Sequence, residues 1–298
     1  MKKPKKVELI LGSGGARGIA HIKVIELLQR DGFEIDRVVG CSMGAVVGGV
    51  FCAGYMDIYK DWLLTLNRSQ LFNLMDFTLT NMGFLKGERV LGKMHEITGD
   101  QLIEDLPIPY TAVATDMINK KEVYFHKGDL YAAMRASMSI PGIFTPVLHD
   151  GVILVDGGVL NPLPLNLAER KSDTLVVAVS LNGPSGTEVP EIKNPGQDGS
   201  PDANVAEHKN WLSRFISQPK EKARQIPRFS LIDLMTHSYE FTQDKLVEMT
   251  VRAYPPDIVV QIPTSSCGLF DFHKASKLLE IGEEYYEKAM SDFQNTKA

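Results

Sequence analysis

The sequence feature that most constrains the fold is a serine between two glycines at the end of a buried apolar strand. The predicted strand ends near Val39, and the pattern G-x-S-x-G follows at residues 40–44 with Ser42 at its centre. In this spacing a serine can occupy a sharp strand-to-helix turn, which directs a helix N-terminus at a reacting oxygen. Taken alone, the motif is equally compatible with a glycine-rich turn that holds an incidental serine. Two further stretches favour the nucleophile.

The first of these stretches is the glycine-rich loop at residues 12–18. It follows a predicted strand at 7–11 and precedes a predicted helix at 19–29. Free backbone N–H groups and the helix dipole converge in such a loop and favour an anion. A dinucleotide pyrophosphate would require an acidic residue at the end of the second strand, where this chain has Ser42 instead. We therefore expect an oxyanion, with N–H groups of Gly14 and Gly15 beside Ser42 and with Arg17 fixing the loop or adding positive charge. A tight turn without a ligand is the alternative.

The second stretch is Asp156-Gly157-Gly158, which ends a predicted strand at 152–155. The carboxyl ends of strands in an open α/β sheet form one edge, so we expect Asp156 and Ser42 to meet there. A free aspartate is a weak base at neutral pH, so Asp156 must be partly desolvated or held directly on the serine hydroxyl. Without Ser42, the same residues would indicate an ordinary Asp-Gly turn.

Histidine is the usual base for a serine nucleophile, because its pKa lies near 7. None of the candidate histidines has a strand-end and glycine signature as clear as that of Asp156. The serine motif also follows only two predicted strands and one helix, much earlier than in α/β-hydrolases. The histidines considered are His126, His149, His208, His237 and His273.

Composition excludes several classes of protein. The net charge of −5 gives no global basis for binding nucleic acid. The three cysteines have no metal-ligand spacing, and we expect neither a metal nor an organic cofactor. No apolar run is long enough to span a membrane, and the basic start is not followed by a signal-peptide core. We expect a cytoplasmic protein, with peripheral membrane contact left open; the oligomeric state is undetermined.

The remaining periodicity predicts alternating helices and strands. Further strands are expected at 110–116, 122–126, 174–180 and 256–262, and further helices at 87–98, 130–137, 230–251 and 272–290. Residues 55–85 are rich in large apolar side chains, which predicts helical core packing; an apolar wall or mobile lid is the alternative. This pattern indicates an α/β fold with parallel strands.

The motifs together resemble those of patatin-like phospholipases, of the bacterial type related to the catalytic domain of neuropathy target esterase. The resemblance rests on residues 12–18, 40–44 and 156–158, and on the connecting pieces 114–116, 136–142 and 155–164. It implies a three-layer α/β/α fold with a mainly parallel central sheet. It also implies a single catalytic domain over 1–298, with core motifs in 7–182 and a closing helix-strand-helix at 229–292. Residues 183–228 contain no motif of the family, and their glycine, proline, serine and charged residues predict a flexible insertion.

The same resemblance implies a Ser-Asp dyad hydrolase of lipid acyl esters, of phospholipase A or lysophospholipase type. Ser42 is then the nucleophile and Asp156 its base. Gly14, Gly15 and Gly18, with Arg17, belong to the oxyanion loop. Two alternatives stay open: a catalytically silent lipid-binding or regulatory protein of the same fold, and a Ser-His-Asp esterase. The expected partner of the hydrolase is a lipid or acyl-ester substrate.

Overall fold

A computed structural model describes residues 5–80, 83–184 and 231–297 of the chain. Most of the expected insertion at 183–228, including His208, lies outside the described residues. The strands are β1 (Lys5–Leu11), β2 (Phe33–Cys41), β3 (Phe77–Thr80), β4 (Gly83–Leu85), β5 (Tyr110–Asp116), β6 (Lys121–Phe125), β7 (Val147–His149), β8 (Val152–Asp156), β9 (Thr174–Gly183) and β10 (Ile258–Pro263).

Helices alternate with these strands along the chain. The α-helices are α1 (Ile19–Arg30), α2 (Met43–Cys52), α3 (Met56–Thr65), α4 (Arg68–Leu74), α5 (Glu88–Thr98), α6 (Leu130–Ser137), α7 (Leu231–Ala253) and α8 (Ala275–Lys297). Short 3-10 helices cover Gly15–Gly18, Ile103–Asp105, Gly157–Val159, Leu165–Leu167, Thr264–Ser266 and Phe272–Lys274. No helix in the described ranges is both long enough and apolar enough to cross a bilayer.

The central sheet has a parallel core with helices on both faces. Strands β10, β9, β1, β2 and β5 lie side by side in that order, and each neighbouring pair is parallel. Side chains alternate between the faces, so Leu9 and Leu11 pack with helices α1, α2, α6 and α8, while Ile10 packs with α7. Such strands are buried on both sides, which explains their continuous apolar sequence. The predicted three-layer fold with a mainly parallel sheet is confirmed.

The direction of β8 differs from the expectation. Strand β8 is antiparallel to β5, and Asp156 lies opposite Ala114. Strand β6 occupies one side of β5 over residues 112–116. On the other side, β2 ends with Cys41 opposite Val113, and β8 continues the row from there. Strands β2 and β8 therefore meet tip to tip beside β5, and this register, rather than a shared edge of parallel strand ends, brings Asp156 to Ser42.

Residues 55–85 are the other departure from the prediction. They form helices α3 and α4 and then the antiparallel pair β3 and β4, not a continuous helical region. Within this stretch Leu63 and Leu66 are buried, but Leu64, Phe72 and Phe84 are exposed. Most of its described apolar residues are buried or pack against the core, as predicted, but the helical form expected for its last part was wrong. The alternation of apolar residues and threonines in Phe77–Thr80 is a strand pattern that the helical interpretation passed over.

Candidate active site

Ser42 lies at the turn between β2 and α2 in a backbone conformation that non-glycine residues rarely adopt. Its φ is 55° and its ψ is −122°, a strained geometry typical of a nucleophile held at a strand-to-helix turn. The N–H of Ser42 donates to Oγ of Ser137, 2.9 Å away. That hydroxyl in turn donates to the carbonyl of Val113 at 2.6 Å. A fully buried serine of α6 thus fixes the turn to strand β5.

Gly44 allows this turn to pack directly on the end of β1. A Cβ atom at Gly44 would overlap the carbonyl oxygen of Leu11 and would lie 2.8 Å from that of Gly12. Because backbone cannot move aside as a side chain can, no larger residue fits here without displacing the turn. The glycine spacing around Ser42 therefore has a packing reason as well as a conformational one.

Ser42 and Asp156 are joined by a direct hydrogen bond. Oγ of Ser42 donates to Oδ2 of Asp156 at 2.5 Å. The other carboxylate oxygen, Oδ1, accepts the N–H of Gly158 at 2.7 Å and the hydroxyl of Tyr239 at 3.2 Å. Ser42 is 2% exposed and Asp156 is fully buried. The structure therefore brings the two residues together across 114 positions of sequence.

Burial makes Asp156 a better base than a free aspartate. Desolvation raises its pKa to about 6, against the opposing effect of hydrogen bonds from Ser42, Gly158 and Tyr239. A carboxyl group with this pKa is ionised for the most part above pH 7. It is also basic enough to receive a proton from a hydroxyl in a transition state.

The glycine-rich loop lies against the same turn. A Cβ atom at Gly18 would overlap the side chain of Met43, the residue after Ser42. The loop is tied down by its neighbours, since Ser13 donates its N–H to the carbonyl of Pro162 and Ala16 donates to that of Leu269. The N–H groups of residues 14 and 15, between these two ties, have no acceptor within the described ranges. They are free to bind an oxygen.

Arg17 supports the loop from below. The side chain is 1% exposed, and its Nε donates to the carbonyl of Gly14 at 3.1 Å. Its Nη1 donates to the carbonyl of Thr264 at 3.0 Å, and its Nη2 pairs with Oε1 of Glu240 at 3.0 Å. These contacts favour the first of the two roles considered for Arg17, which is to fix the loop.

Replacing Arg17 with methionine is expected to destabilise the protein and the loop together. The change keeps the aliphatic stem but leaves Glu240 and two carbonyls without their donor, so the free energy of unfolding should fall by roughly 3 kcal/mol. Urea unfolding measures this loss. Arg30→Met is the matched control, because Arg30 pairs with Asp31 and Glu287 at the surface and its loss should matter much less. Equal losses in both variants would contradict the role given to Arg17.

The histidines lie elsewhere. Of those described, none has a hydrogen bond to Ser42 or Asp156. His149 is near Asp150 and His273 is near Arg68, and His126 is exposed. His237 of α7 has its Nδ1 3.9 Å from Glu240.

Two histidines were passed over in the sequence, His21 and His95, and His95 lies at the surface with its Nε2 2.6 Å from Oδ1 of Asp100. His21 is fully buried in α1, and its Nε2 is 2.9 Å from the carbonyl oxygen of Gly12. Burial lowers the pKa of His21 to about 4, so the ring is neutral near pH 7. His21 contacts the start of the glycine-rich loop rather than Ser42, which indicates a structural role for this histidine.

Three other residues of the site were missed by sequence reasoning. Ser137 lies in the connecting piece 136–142, but its sequence gave no sign of a contact with Ser42. Tyr239 and Gln243 are four residues apart and so share one face of α7, where Gln243 donates to Oγ of Ser13 at 3.1 Å. That spacing was visible, but nothing in the sequence identified what the face contacts.

The chemistry of the site depends on which side chains are grouped in it. In the described part of the chain, no three histidine, cysteine or carboxylate side chains are grouped so that they could hold a metal ion. A hydroxyl that donates to a buried carboxylate can carry out nucleophilic attack on a carbonyl, and backbone N–H groups of a neighbouring loop can stabilise the oxyanion that forms.

The chain is similar to known patatin-like and NTE family proteins. Residues 9–169 match the family model of patatin-like phospholipases. An NTE family protein of Mycobacterium tuberculosis is 33% identical over 97% of this chain and 92% of its own length. The neuropathy target esterase sws of Drosophila melanogaster is 31% identical over 64% of this chain and 14% of that protein. The lysophospholipase NTE1 of Candida albicans is 26% identical over 97% of this chain and 20% of that protein.

Proposed function

This chain belongs to the patatin-like phospholipase family, and we propose that it is a serine hydrolase that cleaves carboxylic esters of lipids through a Ser-Asp dyad. The observation that carries the proposal is the 2.5 Å hydrogen bond from Oγ of Ser42 to Oδ2 of Asp156, at a strained turn that packs against the glycine-rich loop. A protein that only binds lipid needs neither the strain nor the buried carboxylate.

In the first half-reaction Oγ of Ser42 attacks the ester carbonyl carbon while Oδ2 of Asp156 takes the hydroxyl proton. The carbonyl oxygen becomes an oxyanion, which the N–H groups of Gly14 and Gly15 stabilise. When the tetrahedral intermediate collapses, the bond to the alcohol oxygen breaks. Asp156 returns the proton to that leaving oxygen, and Ser42 is left acylated.

In the second half-reaction water replaces the alcohol. The water oxygen attacks the acyl carbon while Asp156 takes a proton from that water molecule. The same N–H groups stabilise the second oxyanion. Collapse breaks the bond to Oγ of Ser42, which regains the proton from Asp156. The product is a free fatty acid, and no cofactor takes part. Gly18 and Arg17 contribute by shaping the loop that presents the two N–H groups.

Labelling with a fluorophosphonate tests the nucleophile without knowledge of the substrate. We expect one phosphonyl adduct on Ser42, located by peptide mass spectrometry, and no labelling of Ser42→Ala. Ser276→Ala, on an exposed position of α8, is the matched control and should label like the wild type. Failure of the wild type to label would favour the lipid-binding alternative. Incubation with a panel of phospholipids, lysophospholipids and glycerides then defines the substrate, and mass spectrometry identifies the products. Lysophospholipids are tested first because the Candida albicans relative is a lysophospholipase.

The dependence of the rate on pH is a further prediction. Because burial raises the pKa of Asp156 to about 6 and the base must be ionised, kcat/KM should fall as pH drops through about 6 and level off above pH 7. The measurement is kcat/KM for a p-nitrophenyl ester from pH 4.5 to 9. The midpoint should barely change with temperature if the base is a carboxyl group. A midpoint that falls clearly on warming is the behaviour of an imidazole and would count against Asp156.

A further inference from the structure

We propose that Tyr239 of α7 is a positioning residue of the Ser-Asp dyad, which holds the Asp156 carboxylate in place and favours its ionised form. The proposal rests on the proposed function. It adds a residue from outside the part of the chain that matches the family model, residues 9–169.

The two oxygens of Asp156 have different partners, and this division carries the argument. Oδ2 accepts the hydroxyl of Ser42, while Oδ1 accepts the N–H of Gly158 and the hydroxyl of Tyr239. With Oδ1 bound from two sides, the carboxylate cannot rotate about its bond to the side chain without breaking these contacts. Oδ2 is thereby kept directed at the nucleophile.

Helix α7 is fixed against the other parts of the site, so the position of Tyr239 is not accidental. One turn further along, Gln243 donates to Ser13 of the glycine-rich loop at 3.1 Å. Glu240 pairs with the buried Arg17, and Asp244 accepts from Asn182 at 2.8 Å. Contacts on two consecutive turns thus tie the helix to Asp156, to the glycine-rich loop and to β9.

Gly158 lets the helix approach this closely. A Cβ atom there would lie 2.9 Å from the hydroxyl oxygen of Tyr239 and would overlap the amide of Gln243. The second glycine after Asp156 therefore has a packing role toward α7, besides donating its N–H to Oδ1.

Tyr239 is the titratable side chain that donates a hydrogen bond to Asp156 in addition to the nucleophile. Its replacement by phenylalanine removes this hydrogen bond without changing the charge of the site. Burial and the nearby carboxylate raise the pKa of Tyr239 well above its usual value, so it stays protonated and donates. Burial also raises the pKa of Cys41 of β2, which keeps that thiol neutral. On the other elements, Arg135 of α6 donates to Ser139 and Thr145, and Glu122 of β6 accepts from Asn161 and Tyr124.

The test is the pH dependence of fluorophosphonate labelling in Tyr239→Phe. Loss of the hydroxyl removes a hydrogen bond to the ionised carboxylate, so the midpoint of the acid limb should rise by roughly one pH unit. Labelling at pH 6 should slow by roughly five-fold, while the rate at pH 9 should stay close to that of the wild type. Tyr254→Phe is the control, because Tyr254 is exposed and directly follows the C-terminal end of α7, far from Asp156 in sequence. Circular dichroism checks that both variants fold.

Each other outcome has a definite meaning. A profile of Tyr239→Phe that superimposes on that of the wild type would overturn the inference. So would a rate that drops equally at every pH with an unchanged midpoint, since this is the behaviour of a merely structural residue.

A wild type without Ser42 labelling would instead remove the proposed function. The carboxylate contact can then be read from the pH dependence of urea unfolding. Loss of the tyrosine hydroxyl should move the part of that dependence due to Asp156 to higher pH, and an unchanged dependence would overturn the contact itself.

Discussion

Replacing Ser42 with alanine is expected to lower ester hydrolysis by roughly four to six orders of magnitude. The variant has no atom that can form the acyl-enzyme, and Asp156 alone can only assist a slow direct attack by water. The measurement is kcat/KM for a p-nitrophenyl ester at pH 8, with product appearance followed long enough to detect the residual rate.

The fold of Ser42→Ala should be preserved. Alanine occupies the same strained backbone, and the turn stays fixed because the N–H at position 42 still donates to Ser137. We expect an unfolding temperature within a few degrees of the wild type. A folded Ser42→Ala variant that keeps the wild-type rate would show that another residue is the nucleophile.

Replacing Asp156 with asparagine is expected to lower kcat/KM by roughly a hundred- to ten-thousand-fold. The amide has nearly the shape of the carboxyl group but cannot take the proton of Ser42. Fluorophosphonate labelling should slow in parallel, since it depends on the same base. Asp292→Asn, on an exposed position of α8, should leave both rates unchanged. Undiminished turnover in Asp156→Asn would direct attention to the histidines, each to be replaced in turn.

The same substitution is expected to stabilise the protein at neutral pH. The folded pKa of Asp156 is raised to about 6 from its usual 3.8, so between these values the folded state binds more protons than the unfolded one. The contribution of Asp156 to stability therefore declines as pH rises from about 4 to 6, by up to about 3 kcal/mol. Asparagine does not ionise, so the variant does not lose this stability as pH rises. Part of the gain is offset because the amide N–H groups of asparagine lie against groups that donate hydrogen bonds to Asp156.

We expect a net gain of about 1–2 kcal/mol for Asp156→Asn at pH 8, which should vanish near pH 4. Urea unfolding at both pH values, with Asp292→Asn as the control, measures the difference. A gain that is the same at pH 4 and pH 8 would contradict a buried, titrating carboxylate.

The sequence predicted the local parts of the site well, because each is encoded by contiguous residues. The glycines around Ser42 indicated a sharp turn after a buried strand, and the structure has that turn with φ of 55°. The glycines at 12–18 indicated a loop with free N–H groups before a helix, and the structure has it. The assignment of catalytic roles to Ser42 and Asp156 remains a prediction that the two substitutions test.

Residues 55–85 show where local reasoning ends. Their apolar composition predicted a helical core, yet Phe72 and Phe84 are exposed and part of the stretch forms a strand pair. Apolar composition indicates that a side chain can be buried, but it does not indicate whether another element packs against that side chain. That depends on which parts of the chain pack nearby.

The sequence alone indicated the strands and helices outside residues 55–85, apart from the short strand β7, together with the backbone turns at Ser42, Asp156 and the glycine-rich loop. These follow from short-range sterics, glycine conformational freedom and apolar periodicity. Only the tertiary structure decided that β8 runs antiparallel and meets β2 tip to tip beside β5, and that Tyr239 of a distant helix binds Asp156. Strand direction and register are set by hydrogen bonds between segments far apart in the chain, and periodicity within one segment does not encode its partner.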